Sequence, residues 1–263
     1  MPPSVRLVAS DLDGTLLGAD GQLSPRTQRA LDAVRRSGIV VVAATGRSHR
    51  TALPRVGGHV DWAVCSNGAV LYDVARGEVD THHPIGPELV ARLVTDVARH
   101  VPEVGLAWET VDGFGADAAF HRLRPSAESL LLAAPLGSLL EGGAAVTKVL
   151  VAHPELVQDV LLDALRPVLP VEVEATTSGA DFVEVTATGI DKAFTVGLVC
   201  ERLGIDHAEV LAFGDHLNDL PLLSWAGRAV AMANAHPAVL DAVDEHAGHH
   251  DADGVAEVLE ALT

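Results

Sequence analysis

Three short apolar runs constrain the fold of this chain most, because each leads into a residue that can do chemistry. Val5 to Ser10 runs into Asp11, Ile39 to Ala44 into Thr45, and Val210 to Phe213 into Gly214-Asp215. Short, nearly continuous apolar runs of this kind predict strands buried on both faces, as in a parallel sheet covered by helices. The segments between them read as those helices. Ser24-Pro25 supplies an N-cap and an N1 proline, Ala30, Leu31 and Val34 share one face, and Gly38 follows as a C′ residue. Trp62 to Ser66 reads as a further strand, followed by the turn pair Asn67-Gly68.

From about residue 82 the rhythm changes. Pro87 to His100 reads as an amphipathic helix with Leu89, Val90, Leu93, Val94 and Val97 on one face. Thr147 to Ala152, Val171 to Ala175 and Phe182 to Thr186 read as strands, with a helix from Pro154 to Leu165 between the first two. Strands outnumbering helices, with Gly- and Pro-rich joints, predict an α+β insertion. Lys148 lies within one of these strands and is expected to mark a sheet edge, where a lysine discourages pairing with another chain. After Gly189 the earlier style returns. Lys192 to Leu203 forms a helix stopped by Gly204, Ala229 to Ala233 a strand, and a last helix starts near Gly254. The expected organisation is an α/β core, a Rossmann-like doubly wound parallel sheet over 1–81 and 189–263, interrupted by a cap domain over 82–188.

Composition narrows the class. Hydrophobic residues make up 48% of the 263 and aromatics only 3%, so aliphatic side chains must fill the core. A formal net charge of −18 disfavours a nucleic-acid partner and repels small anions unless a local cation offsets the field. Cys65 and Cys200 lack the number and spacing of a disulfide framework or metal site and read as buried small hydrophobes. No basic segment followed by an apolar run marks a signal peptide, and no apolar stretch approaches the ~20 residues of a membrane span. A cytoplasmic protein with no membrane association is expected.

Asp11-Leu12-Asp13-Gly14-Thr15 places two acids at the carboxyl end of the first strand, where open α/β sheets hold ligands. Taken alone, the pair could be a capped loop with solvated carboxylates. Thr45-Gly46-Arg47 ends the second strand, Lys192 opens the helix after the insertion, and Gly214-Asp215-His216-Leu217-Asn218-Asp219 follows another strand. In order, placement and spacing these four segments resemble the haloacid-dehalogenase superfamily of phosphatases. The position of the insertion resembles the α/β cap of its Cof-like, type IIB branch. So do Ser66-Asn67-Gly68-Ala69, Ala231-Met232-Ala233-Asn234-Ala235 and Asp253-Gly254-Val255-Ala256.

The residue types suit phosphoryl transfer. A phosphate monoester is a dianion, so a carboxylate nucleophile must approach like charge. Mg²⁺ resolves this with oxygen ligands, usually one or two carboxylates plus waters and a substrate oxygen. Asp11 and Asp215 are the expected carboxylate ligands, and the resemblance adds the backbone carbonyl of Asp13. Lys192 supplies a compact positive charge for the transferring group, and Thr45 and the Gly46 amide can hydrogen-bond its oxygens. The resemblance implies attack by Asp11 to give an aspartyl-phosphate, with Asp13 as general acid and then general base. Asn218 and Asp219 would orient Lys192, phosphate or metal-bound water, with Arg47 in support. The expected substrate is a small phosphorylated metabolite such as a sugar phosphate. A phosphotransferase or mutase would use the same residues with a sugar hydroxyl as acceptor, and a non-catalytic binding protein would retain the fold.

Two other patterns invite a site and are set aside. His246, His249, His250 and Asp251 match no zinc spacing and read as a solvated loop. Gly113-Phe114-Gly115-Ala116-Asp117-Ala118 mimics a dinucleotide fingerprint but lies in the insertion, away from the first strand-to-helix turn.

Overall fold

The computed structural model describes residues 4–125 and 136–263, which divide into two compact units, residues 4–81 with 191–263, and residues 82–125 with 136–190. The second junction lies two residues beyond the 188/189 boundary expected from the sequence.

The first unit opens with β1 (Leu7–Ser10), α1 (Pro25–Arg36), β2 (Val40–Ala44), α2 (His49–Val56), β3 (Trp62–Cys65), β4 (Val70–Asp73) and β5 (Glu78–His82). In the second unit follow α3 (Pro87–His100), β6 (Gly105–Thr110), β7 (Phe114–Ala116), α4 (Ala118–Leu123), α5 (Leu136–Glu141), β8 (Val146–Ala152), α6 (Gln158–Leu165), β9 (Val173–Thr176) and β10 (Val183–Ala187). The chain then returns through α7 (Lys192–Leu203), β11 (Val210–Gly214), α8 (Leu220–Trp225), β12 (Arg228–Met232), α9 (Pro237–Ala242), β13 (Glu245–Ala247) and α10 (Gly254–Glu260).

The first unit is built on an eight-stranded sheet ordered β13-β12-β11-β1-β2-β3-β4-β5. From β13 to β3 every neighbour pairs in parallel, and β4 turns back antiparallel to β3. All four residues of β1 are buried, as its continuous apolar run predicts. Leu7, Ala9, Val42 and Val210 share one cluster with Val196 and Val199 of α7. Each such aliphatic side chain contributes about 1.5–3 kcal/mol when fully buried. Ser24 caps α1 by accepting the Thr27 N–H, with Pro25 at the first helical position. Cys65 and Cys200 are buried thiols, and burial pushes the Cys200 thiol up to about 11, so it stays protonated and inert.

The second unit is a five-stranded sheet ordered β7-β6-β8-β10-β9, with antiparallel pairing throughout. Val149, Val151, Val183 and Val185 pack with Val90, Leu93 and Val97 of α3 and with Leu161 and Leu165 of α6. Strand alternation places Lys148 and Leu150 on the opposite face. Lys148 therefore corrects the sequence reading, because β8 is the central strand and not an edge. Its Nζ lies 2.7 Å from Glu184 Oε1 on β10 and 3.4 Å from Glu109 Oε2 on β6. All three side chains are at most 5% exposed. Burial opposes the Lys148 charge, but the two glutamates outweigh it and hold the ammonium above the ordinary lysine range.

The helix expected from Pro154 starts instead at Gln158. The His153 Nδ1 accepts the N–H groups of Glu155 and Leu156, and this turn delays the helix until after Val157. Removing one partner from a buried ion cluster strands the others. Lys148→Ala is expected to destabilise the protein by about 3–5 kcal/mol in urea unfolding. An unchanged midpoint would contradict this account of the second sheet.

Candidate active site

The strand order brings the chemistry together. β11, β1 and β2 are adjacent and parallel, so their carboxyl ends set Asp215, Asp11 and Thr45 side by side. From β1 the sheet grows towards β2 and β3 on one side and β11 to β13 on the other. That reversal is the switch point at which open parallel sheets leave a crevice.

Lys192, first residue of α7, is completely buried, and its Nζ donates to Asp11 Oδ1 and Asp219 Oδ1 at 2.6 Å each. Asp219 uses its other oxygen to accept the N–H groups of Asp215 and His216, both at 2.9 Å. It thereby ties Lys192 to the turn carrying Asp215. Thr15 Oγ1 donates to Asp215 Oδ1 at 2.8 Å, and the N–H of Asp11 donates to Phe213 O. Gly14, at φ +76°, runs close past this turn, and a Cβ there would strike the Asp215 carboxylate. Glycine at that position is a steric requirement.

Oxygens of Asp11, Asp215 and Asp219 lie within 4.8 Å of one another. Three carboxylates around one ammonium leave a formal charge of −2 where little water reaches. Desolvation drives the Asp11 carboxyl well above its ordinary range against the pull of Lys192, and Asp219, Asp215 and Asp13 add to the rise. Desolvation and Asp219 raise Asp215 to about 7, opposed by the Thr15 hydrogen bond. A cluster of hard oxygen donors with two uncompensated charges fits a divalent cation such as Mg²⁺. Both Asp219 oxygens are already engaged, which leaves Asp11 and Asp215 as the better ligands. The Asp13 carboxylate stands outside the cluster.

Other expected residues fall around this centre. Asp13 is 45% exposed at its side chain, and Arg47 grips both its oxygens at 2.6 Å. Thr45 is buried, and its Oγ1 accepts the Arg47 N–H at 3.1 Å, leaving the hydroxyl proton to donate elsewhere. Gly46 lies between them at the end of β2. Asn218 is buried, and its Nδ2 donates to Asn67 Oδ1 at 3.0 Å. Asn67 escaped the sequence reading as a site residue, although Ser66-Asn67-Gly68 stood out as a motif.

The His249–Asp251 segment is used by the loop after Asp13. His250 Nδ1 bonds Leu17 O, Asp251 Oδ1 accepts the Ala19 N–H, and Asn234 bridges the His250 N–H to Gly14 O. Ligand atoms of His249, His250 and Asp251 lie within 4.8 Å, but the two rings stack at 4.6 Å with 29° between their planes. Stacked rings send their in-plane lone pairs along near-parallel lines and not to a common metal. The expected solvated loop is thus partly a latch: His250 is mostly buried and holds the 14–19 segment.

The chain is similar to known proteins in sequence and in fold. Residues 8–259 match the haloacid dehalogenase-like hydrolase family, and the chain belongs to it. Among its relatives, the HMP-PP phosphatase of Cronobacter sakazakii is 30% identical, covering 89% of this chain and 86% of that protein. The pyridoxal phosphate phosphatase YbhA of Escherichia coli is 28% identical, over 97% of this chain and 98% of that one. A phosphatase of the haloalkanoate enzyme superfamily from Bacteroides thetaiotaomicron shares the fold with a TM-score of 0.84 at 24% identity, covering 98% and 95% of the two chains. A subclass IIB sugar phosphatase of the same superfamily gives 0.82 at 21% identity, covering 98% of each chain.

Lys192 neutralises carboxylates that would otherwise face one another. Lys192→Ala is expected to cost about 3–5 kcal/mol of stability in urea unfolding of the metal-free protein. Wild-type stability in that variant would contradict the charge balance described.

Proposed function

We propose that this hydrolase is a Mg²⁺-dependent phosphatase acting on a small phosphorylated metabolite, in the first instance a sugar phosphate. The observation that carries the reading is the buried Lys192 ammonium at 2.6 Å from Asp11, with Asp215 at the next strand end. A carboxylate held against one fixed cation at the mouth of a parallel sheet suits attack on a phosphate dianion. The phosphatases among its relatives support the same chemistry.

In this reading an Asp11 oxygen attacks phosphorus in line, and the bond from phosphorus to the ester oxygen breaks. Asp13 gives its proton to that leaving oxygen. Asp13 then takes a proton from water as the water oxygen attacks phosphorus, and the bond to Asp11 breaks to release phosphate. Because Arg47 holds both Asp13 oxygens, the first step requires that ion pair to open. Lys192 and the Thr45 hydroxyl offer donors to the transferring oxygens, and Asp219 keeps Lys192 in place. Asp11, Asp215 and the Asp13 carbonyl would hold Mg²⁺, which when bound supplies positive charge that offsets the repulsion between carboxylate and phosphate.

Hydrolysis of p-nitrophenyl phosphate is expected to require Mg²⁺, and Asp11→Asn is expected to lower kcat by at least about a thousandfold. Full activity in that variant would remove Asp11 as nucleophile. Asp13→Asn is expected to reduce kcat about 10²- to 10⁴-fold while leaving the Mg²⁺ concentration for half-activation unchanged. A shift in that concentration instead would make Asp13 a side-chain ligand.

At a hundred times its Kd, Mg²⁺ is expected to stabilise the protein by about 2.7 kcal/mol, read as a rise in Tm. Asp215→Asn should melt higher than the metal-free wild type, because it removes a buried like charge, and should lose most of the Mg²⁺ response. A full response in the variant would move the ligand elsewhere.

A further inference from the structure

The turn after β3 carries an unexplained feature. Ser66 and Asn67 adopt φ of 50° and 56°, consecutive non-glycine residues in the left-handed region. Such backbone is retained where the surroundings fix it, and it gathers at ligand sites. The surroundings here are those of the candidate active site. The Asn67 N–H donates to Thr45 O, and Gly68 O accepts the Thr195 hydroxyl from α7 at 2.6 Å. Gly68, at φ +104°, lies so close to Asp191 that a Cβ would collide with its backbone. The turn is therefore wedged between the end of β2 and the residue before Lys192.

Asn67 is only 3% exposed. Its Oδ1 accepts from Asn218, but its Nδ2 is buried with no hydrogen-bond partner. A primary amide nitrogen carries two N–H donors, and burying them unmet is disfavoured enough that native proteins rarely do so. What the position lacks is an acceptor. The turn bonds Thr45 O and the start of α7, and those two elements carry two further donors, the Thr45 hydroxyl and the Lys192 ammonium. A group satisfying all three is an oxyanion with several oxygens.

We propose that Asn67 is a phosphate-binding residue: its Nδ2 donates to a non-bridging oxygen of the phosphoryl group, while its Oδ1 fixes the orientation of Asn218. The assignment rests on the phosphatase reading above and extends it to a residue outside the four motifs. It also explains the sequence at this point. Asparagine tolerates the left-handed backbone better than other side-chain-bearing residues, and its amide supplies donor and acceptor at once.

The test uses Asn67→Asp and Asn67→Gly in the full-length, Mg²⁺-loaded protein, with inorganic phosphate as the probe. The aspartate variant keeps the shape and still accepts from Asn218, but offers a carboxylate where the donor stood. The glycine variant keeps the backbone conformation and removes the amide, which covers the case that the first variant does not fold. Thermal melting verifies folding of each. Both variants are expected to raise the inhibition constant of inorganic phosphate by about tenfold or more, the aspartate variant further, with lower kcat/KM for p-nitrophenyl phosphate. A purely structural role predicts near-normal phosphate inhibition in the aspartate variant. Wild-type inhibition in a folded variant of either kind overturns the assignment of Asn67 while leaving the phosphatase reading intact. A wild-type protein with no Mg²⁺-dependent turnover and no inhibition by phosphate overturns that reading and this assignment together.

Discussion

One buried ammonium organises the first unit. Lys192 has no exposed surface, and its charge is met by Asp11 from β1 and Asp219 from the turn after β11. Lys192 follows Asp11 by 181 positions, so that pair forms only when the chain returns from its insertion. Burying a lysine is unfavourable by itself, and its carboxylate partners make it tolerable. Asp215 then adds a charge that nothing nearby fully balances. The excess of negative charge is unusual for a core and suits a site that takes a cation and a phosphate.

Topology makes this arrangement possible. Parallel strands point their carboxyl ends the same way, and the order β11-β1-β2 sets three motifs in a row. The closest approaches are then fixed by small residues and hydrogen bonds. Gly14 lets the loop pass Asp215, Thr15 bonds it, and Asn234 with His250 secures the loop from behind. An acid on this loop, Asp13, is held by Arg47 within reach of solvent, in contrast to the sealed Asp11.

Much of the first unit was legible because its signals are local. A short apolar run ending in an acid or a hydroxyl identifies both a buried strand and the residue at its mouth, as at Asp11, Thr45 and Asp215. Ser24-Pro25 gave the start of α1 for the same reason. The misreadings share a cause, which is that the partner lies far along the chain. Lys148 looks like an edge lysine until β6 and β10 flank its strand and bring Glu109 and Glu184 to it. The alternation of β6 is obscured because Glu109, a buried residue, reads as polar. His250 and Asp251 resemble a solvated loop because their bonds go to Leu17 and Ala19, over 230 positions away. Asn67 was visible as a motif, but its unmet amide is a property of the folded chain alone.

The central claim is that Asp11, poised on Lys192, takes the phosphoryl group covalently. Borohydride reduces an acyl phosphate to an alcohol, so quenching the Mg²⁺-loaded enzyme with borohydride during turnover of a phosphate ester records which carboxylate was phosphorylated. Peptide mass spectrometry is expected to find homoserine at position 11, dependent on substrate and Mg²⁺. Reduction at another acid, or none during active turnover, would contradict the account.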